Sequence, residues 1–213
     1  MKLYSSPISS NARKVRLAAS MLGIPLELVN IDLGKGAQRT PEFLAINPMG
    51  RVPVLEDGDF VLTESAAIMA YLADAKPDSP LYPRDLKQRA NVNRWLFWGA
   101  SHWGPAFAAL AFEKWIKKFM QLGEPDLVQV KRQEDALRGL ATVLDAHLAS
   151  REWVCGPTIT IADLAIAASL GAAERVQFRV ADFVAMEVWF EKVKALEAWK
   201  STEPPSLPTT ATR

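Results

Sequence analysis

The chain has 213 residues, 49% hydrophobic and 23% charged, enough for one large domain or two small ones with real cores and too apolar for a disordered protein. Twenty-five basic side chains against twenty-four acidic leave a net charge of +1, and no basic tract is interleaved with aromatics, so a nucleic-acid partner is not expected. No apolar run approaches the roughly 20 residues that span a bilayer, and Met1 leads straight into Lys2, Leu3 and Tyr4, so the expectation is a cytoplasmic protein with no membrane partner.

Residues 1–76 read as β-α-β-α-β-β-α. Lys2 to Tyr4 is a short strand, and Ser9 or Ser10 starts a helix with Ala12, Val15, Ala19 and Leu22 on one face, stopped by Gly23-Ile24-Pro25. Leu26 to Ile31 is the second strand, and Thr40 followed by Pro41 starts the next helix, with proline at its first position. Val52-Pro53-Val54-Leu55 is an apolar strand run containing a proline, which cannot donate to a ladder. Pro53 therefore belongs at an edge, a bulge or a cis turn; in the cis case Val52 would offer its own N–H and C=O to a peptide-like partner. A hairpin through Asp57-Gly58 leads to the strand Phe60 to Leu62. Thr63, Glu64 and Ser65 then open an amphipathic helix carrying Ile68 and Leu72, and the free N–H groups of its first turn favour a carboxylate. An edge proline and an ordinary capped helix would explain either feature alone.

A proline-rich stretch, residues 77–84, separates this unit from residues 85–213, where the periodicity is helical throughout. Arg89 to Met120 reads as one long helix or a broken pair, bent at Gly99 or Gly104-Pro105. It is unusually aromatic, since four of the seven tryptophans fall between positions 95 and 115. Leu127 to Leu148 is another helix, Thr160 to Leu170 a third with Thr160 and Asp163 spaced as a capping box, and Asp182 to Trp199 the last, before a loose tail from Glu203 to Arg213. Cys155 is the only cysteine, so no intrachain disulfide or CxxC pair exists and any thiol chemistry uses a thiol brought by a ligand. In its apolar turn it reads as a small hydrophobe. With two histidines and no partner at ligand spacing, no metal is expected.

Taken together, the proline-containing strand, the Glu64-Ser65 helix start and the junction Tyr4-Ser5-Ser6-Pro7-Ile8-Ser9-Ser10-Asn11 resemble the cytosolic glutathione transferase family, of a bacterial serine type with nu-class-like and theta- or phi-like features. The resemblance covers nearly the whole chain. It implies an N-terminal thioredoxin-like α/β domain, residues 1–76, and an all-α C-terminal domain, residues 85–213, with glutathione as co-substrate and a homodimer as the assembly. It further implies a cis Pro53, Val52 pairing with the cysteinyl part of glutathione through its backbone, and Glu64 and Ser65 holding the γ-glutamyl end. Ser9, with Asn11 two residues later, takes the position of the thiol-activating serine; Ser10 is the alternative if the loop differs by one residue. The loop from Asp32 to Phe43 resembles the nu-class loop in which a glutamine holds the glycyl carboxylate, here Gln38, with Lys35, Arg39 and Arg51 as nearby cations. This chain has Ser9 where nu-class members more often have threonine, and it lacks the longer hairpin many of them carry. By the same resemblance Trp98, His102, Trp103 and Phe107 line the pocket of a hydrophobic electrophile, although spacing of three and four residues is also what core packing produces. The Thr160 capping box resembles the family's buried structural motif.

The chemistry asks for help with the thiol. A free thiol with a pKa of about 8.5 is only a few per cent thiolate at neutral pH. Lowering that value by about two units takes about 2.7 kcal/mol, which a serine donor, an asparagine amide and a helix N-terminus can supply together. Glutathione-dependent disulfide reduction and a non-catalytic binding protein of the same fold are the alternative readings.

Overall fold

Strand β1, Lys2–Ser5, pairs in parallel with β2, Glu27–Asn30, and antiparallel with β3, Val54–Asp57, which pairs antiparallel with β4, Phe60–Leu62. The computed structural model describes residues 1–204 and contains this one mixed sheet in the order β2-β1-β3-β4. A parallel pair needs a crossover, and helix α1, Ser10–Met21, supplies it. Ser9 caps α1 by accepting the Ala12 N–H at 3.2 Å. The apolar face formed by Ala12, Val15 and Ala19 is buried, and Gly23, at φ +62, ends the helix while the Ile24 N–H returns to the Ala19 carbonyl. Helix α2, Pro41–Ile46, begins at the expected Thr40 cap. The Val52–Pro53 peptide is cis, and β3 starts only at Val54 because Pro53 has no N–H to place in a ladder. Gly58, at φ +64, turns the hairpin, and helix α3, Ser65–Asp74, follows.

Helix α4, Leu86–Trp98, opens the helical half with Asp85 accepting the Lys87 and Gln88 N–H groups. Its backbone runs on through a π-helical turn, Gly99–Trp103, into α5, Gly104–Ala111, then through a second π turn, Phe112–Ile116, into the short α6, Lys117–Phe119. The first π turn coincides with the expected bend. Pro105 has no N–H for an i−4 bond, and widening the turn lets the Gly104 N–H reach the Gly99 carbonyl. A Cβ at position 104 would lie 2.9 Å from that same oxygen, so glycine is required.

Helix α7 spans Leu127–Leu148 and α8 spans Ile161–Leu170, as the periodicity predicts. The last expected helix, Asp182 to Trp199, is instead three pieces: a 3-10 turn at Val180–Asp182, α9 at Val184–Ala195 and α10 at Glu197–Ser201. Leu196 is extended, at ψ 138. The break sets Ala198 and Trp199 into the core, where the Arg13 guanidinium stacks 3.8 Å from the Trp199 ring and donates to its carbonyl at 2.9 Å. Most of the expected loose tail, residues 205–213, lies outside the described residues.

One core cluster runs from Leu3 on β1 through α1 and α3 to Trp199 on α10. Within it Asp163 is completely buried and accepts from the N–H of Val154 and of Thr160 at 2.8 Å, from the Thr160 hydroxyl at 3.0 Å and from Trp189 Nε1 at 3.0 Å. Asp163→Ala strands these donors in the core and is expected to cost about 3 kcal/mol or more in urea unfolding. A loss below 1 kcal/mol, about the worth of an ordinary surface cap, would show that the network does not organise the helical half.

Candidate functional site

A cleft of about 380 Å³ opens where the first turn of α1, the loop before Pro53, the start of α3 and the α4–α5 turn meet. Small-ligand clefts begin at about that size. Asn11 and Lys14 come from α1; Asn47, Met49, Arg51, Val52 and Pro53 from the loop; Thr63, Glu64 and Ser65 from the α3 start. The opposite wall is small: Gly99, Ala100, Gly104, Pro105 and Ala108.

Each wall has a local cause. The side chain of the buried Asn47 shapes the loop by donating to the Arg51 carbonyl at 2.7 Å and accepting the Met49 N–H at 3.1 Å. Gly50, at φ +59, closes the turn, and a Cβ there would lie 2.8 Å from the Gln38 carbonyl, so the loop rests directly on the Ala37–Arg39 turn. Val52 lies beyond the β1–β3 ladder, whose last pair is Tyr4 with Val54. At the start of α3, Glu64 holds φ +66 and ψ 113, a conformation that L residues rarely adopt, and it does not cap the helix with its side chain. The first intrahelical bond is from the Ile68 N–H to the Glu64 carbonyl, so the preceding N–H groups have no helical partner and face the cleft end of α3 as free donors.

Of the residues expected from sequence, Asn11, Arg51, Val52, Pro53, Glu64 and Ser65 are brought together in this cleft. Gln38 and Arg39 pack beside it against Gly50 without lining it, and Gln38 Oε1 is buried with no partner among the described residues. Ser9 and Ser10 lie in a separate narrow crevice with Arg13, Ala168, Gly171, Ala172 and Arg175. Since Ser9 Oγ accepts the Ala12 N–H, its own proton is left to donate.

The four aromatic and histidine positions expected at an electrophile pocket lie apart from this cleft. Trp103 is fully buried and donates from Nε1 to the Ile166 carbonyl at 3.2 Å, Phe107 is buried beside it, and the half-buried Trp98 stacks on Trp103 at 5.7 Å. His102 is exposed, and none of the four lines the cleft. The helix turns its aromatic face into the core and its small residues toward the cleft, a choice that spacing alone leaves open.

Sequence reasoning missed Lys14, Asn47 and Thr63 as well as the small-residue wall. Asn47-Pro48 is a turn signal that points to the loop. Lys14 reads as an ordinary helical lysine, yet only 7% of it is exposed and its Nζ donates to Asn11 Oδ1 at 2.8 Å. Burial lowers its pKa to about 8, and no charged group among the described residues offsets that cost. Burial likewise pushes the Cys155 thiol up to about 11, away from nucleophilic character. Among the described residues no group of three or more His, Cys, Asp or Glu is placed to hold a metal ion, and no helix is long and apolar enough to cross a membrane.

The family described as Glutathione S-transferase, N-terminal domain, matches residues 3–80, and the one described as Glutathione S-transferase, C-terminal domain, matches residues 106–202. The chain is 33% identical to glutathione S-transferase 3 of Zea mays over 95% of its own length and 92% of that protein. It is 31% identical to glutathione S-transferase F10 of Arabidopsis thaliana over 92% and 93%. Among solved structures, a delta-class glutathione transferase of Nilaparvata lugens superimposes with a TM-score of 0.82 at 35% identity, over 95% of this chain and 94% of that one.

The buried lysine makes a prediction about stability. Between about pH 8 and the ordinary lysine range the unfolded chain binds the proton that folded Lys14 releases, so stability rises with pH across that window. The penalty is fully present below pH 8 and corresponds to roughly 3 kcal/mol. Lys14→Met should therefore be more stable than the parent at pH 7 and lack its share of the rise between pH 8 and 10. Denaturant melts at both pH values check this; a Met variant that is less stable at pH 7 would refute it.

Proposed function

The chain belongs to the cytosolic glutathione transferase family, and from that premise we propose that this cleft binds glutathione and presents its thiolate to a hydrophobic electrophile. The observation that carries the reading is the convergence of Asn11, the backbone beside cis-Pro53 and the partner-free start of α3 on one cleft. A γ-glutamyl carboxylate suits the Glu64-Ser65 helix start, whose dipole and N–H groups favour an anion. The cysteinyl amide and carbonyl suit the Val52 backbone, which no ladder uses. Arg51, with Gln38 and Arg39 behind the loop, suits the glycyl carboxylate. This order along the cleft leaves the sulfur near the first turn of α1, within reach of the Asn11 amide and the helix N-terminus.

Asn11 is the principal thiolate donor in this reading because it lines the cleft, and Ser9 is a second donor from the crevice beyond it. The thiol proton leaves to solvent, the sulfur attacks the electrophile, and the leaving group departs with the displaced electron pair. The electrophile approaches along Gly99, Ala100, Gly104, Pro105 and Ala108, where the lack of bulky side chains leaves room. The protein works as a homodimer in the cytoplasm.

Calorimetry on Glu64→Ala/Ser65→Ala is expected to show glutathione affinity weakened by at least about tenfold; unchanged affinity in the folded double variant would remove this site. Asn11→Ala is expected to lower turnover more than Ser9→Ala does, each with a smaller effect on affinity. Cys155→Ala should leave activity intact, and lost turnover at unchanged thermal stability would point to a protein thiol. A panel of an aryl halide, a hydroperoxide and a small disulfide, each with glutathione, should favour the aryl halide, while preference for the disulfide would replace conjugation with reduction.

A further inference from the structure

A buried ammonium without a carboxylate is an expensive feature, because transfer of a charge from water is offset only by pairing. Lys14 is such a group. It sits on the first turn and a half of α1 in the cleft wall, its Nζ engaged with Asn11 Oδ1 at 2.8 Å. The pairing fixes the amide: an ammonium has no acceptor, so Asn11 must show it the oxygen and is left with Nδ2–H to donate elsewhere.

We infer that Lys14 is the positioning residue of the thiol end: it holds Asn11 with its N–H donor free for the sulfur, and its uncompensated charge makes the bound thiolate the preferred state. This rests on the glutathione reading above. There the two carboxylates of the ligand are taken by the α3 start and by the Arg51 side of the cleft, so the anion left for Lys14 is the sulfur.

The surroundings leave few competitors for that charge. Arg51 and Glu64 are the other charged residues lining the cleft, and the wall from Gly99 to Ala108 contributes no titratable side chain to it. On the neighbouring elements, Asp163 of α8 is saturated by its own donors, Asp74 at the far end of α3 pairs with Arg89, and Glu197 of α10 pairs with Lys200. Arg13, the next residue along α1, is turned to Trp199, and Arg16, one turn further, is also buried enough for its pKa to fall. His102 is exposed outside the cleft. Since burial alone brings the Lys14 pKa to about 8, its charge is present at neutral pH and fades above that value unless a bound anion holds the proton.

The test is the pKa of the bound glutathione thiol, read from the ultraviolet absorbance of the thiolate in parent, Lys14→Met, Lys14→Arg, Asn11→Ala and Lys14→Met/Asn11→Ala proteins, with affinity measured in parallel. Lys14→Met should raise the thiol pKa by about one unit, lowering the thiolate fraction and turnover about threefold at pH 7, with little change in affinity. Lys14→Arg should recover at least half of the shift and keep it to higher pH. Because Lys14 acts through Asn11, the double variant should shift the pKa by less than the sum of the two singles. An unchanged thiol pKa in Lys14→Met that still binds glutathione would overturn the inference, as would a large loss of affinity with the pKa intact, which would assign Lys14 to a ligand carboxylate. Failure of the parent itself to bind glutathione would overturn the functional reading beneath it.

Discussion

Two consecutive cations buried on the first turns of α1 set the constraint that the rest of the molecule satisfies. Arg13 and Lys14 are 3% and 7% exposed, and burial lowers the pKa of both, to about 10 and about 8. Consecutive residues on a helix point about 100° apart, so the two charges cannot share a partner. Arg13 is answered from the helical half: Trp199 gives it a carbonyl and an aromatic face, and Gly171 gives it space, since a Cβ at 171 would lie 2.5 Å from its Nη1. Trp199 reaches Arg13 from α10, beyond the extended Leu196 that separates it from α9. Lys14 is answered only by a neutral amide.

The cleft follows from how the two halves meet. Helix α1 packs against α3 on one side and α8 on the other, so its N-terminal turn comes to the seam between the sheet unit and the helical half. Across that seam the helical wall is kept low by Gly99, Ala100 and Gly104, and the π turn that Pro105 requires moves the register so that Trp103 and Phe107 face inward. Packing of the aromatic cluster and openness of the cleft are therefore two faces of one helix. A bulky residue at 104 would collide with the Gly99 carbonyl before it reached any ligand.

Much of this was legible in the chain because local chemistry dictates it. Pro53 in an apolar run, Asp57-Gly58 between two strands, Thr40-Pro41, and Thr160 with Asp163 each carry their structural consequence in adjacent residues, and the structure has the corresponding turn or cap at each. The site roles of Asn11, Glu64 and Ser65 were implied by the family resemblance, since a helix start read locally gives only a cap and free N–H groups, and the structure places the three residues on one cleft. What was not legible depends on partners far along the chain. Arg13 meets Trp199 beyond the Leu196 break, Asp145 of α7 accepts the Met186 N–H at 2.9 Å in the first turn of α9, and the Ile166 carbonyl takes the Trp103 indole, each joining residues far apart in sequence. Lys14 was invisible because a lysine at a helical position is almost always solvated, and only the packing of α3 and α8 shows that this one is not.

Several costly local features of the chain meet at the same place. Glu64 occupies a conformation disfavoured for any residue with a Cβ, at about 1–3 kcal/mol, and Lys14 holds an unpaired charge in the wall beside it. The other non-glycine residues at positive φ among those described lie in turns, Gln121 just past the end of α6 and Gln177 in the turn segment between α8 and Val180. Among the described residues, buried polar atoms without a partner also occur away from the cleft, at Arg13 Nε, Arg16 Nε and Nη2 and Trp95 Nε1, whereas the Asp163 carboxylate is saturated. The start of α3 and the first turns of α1 thus bring a disfavoured backbone conformation and a charge answered by a neutral amide to one cleft. Under the proposed reading, the cost of the Lys14 charge is already present in the empty fold, and the bound thiolate is the ionisation state that offsets it.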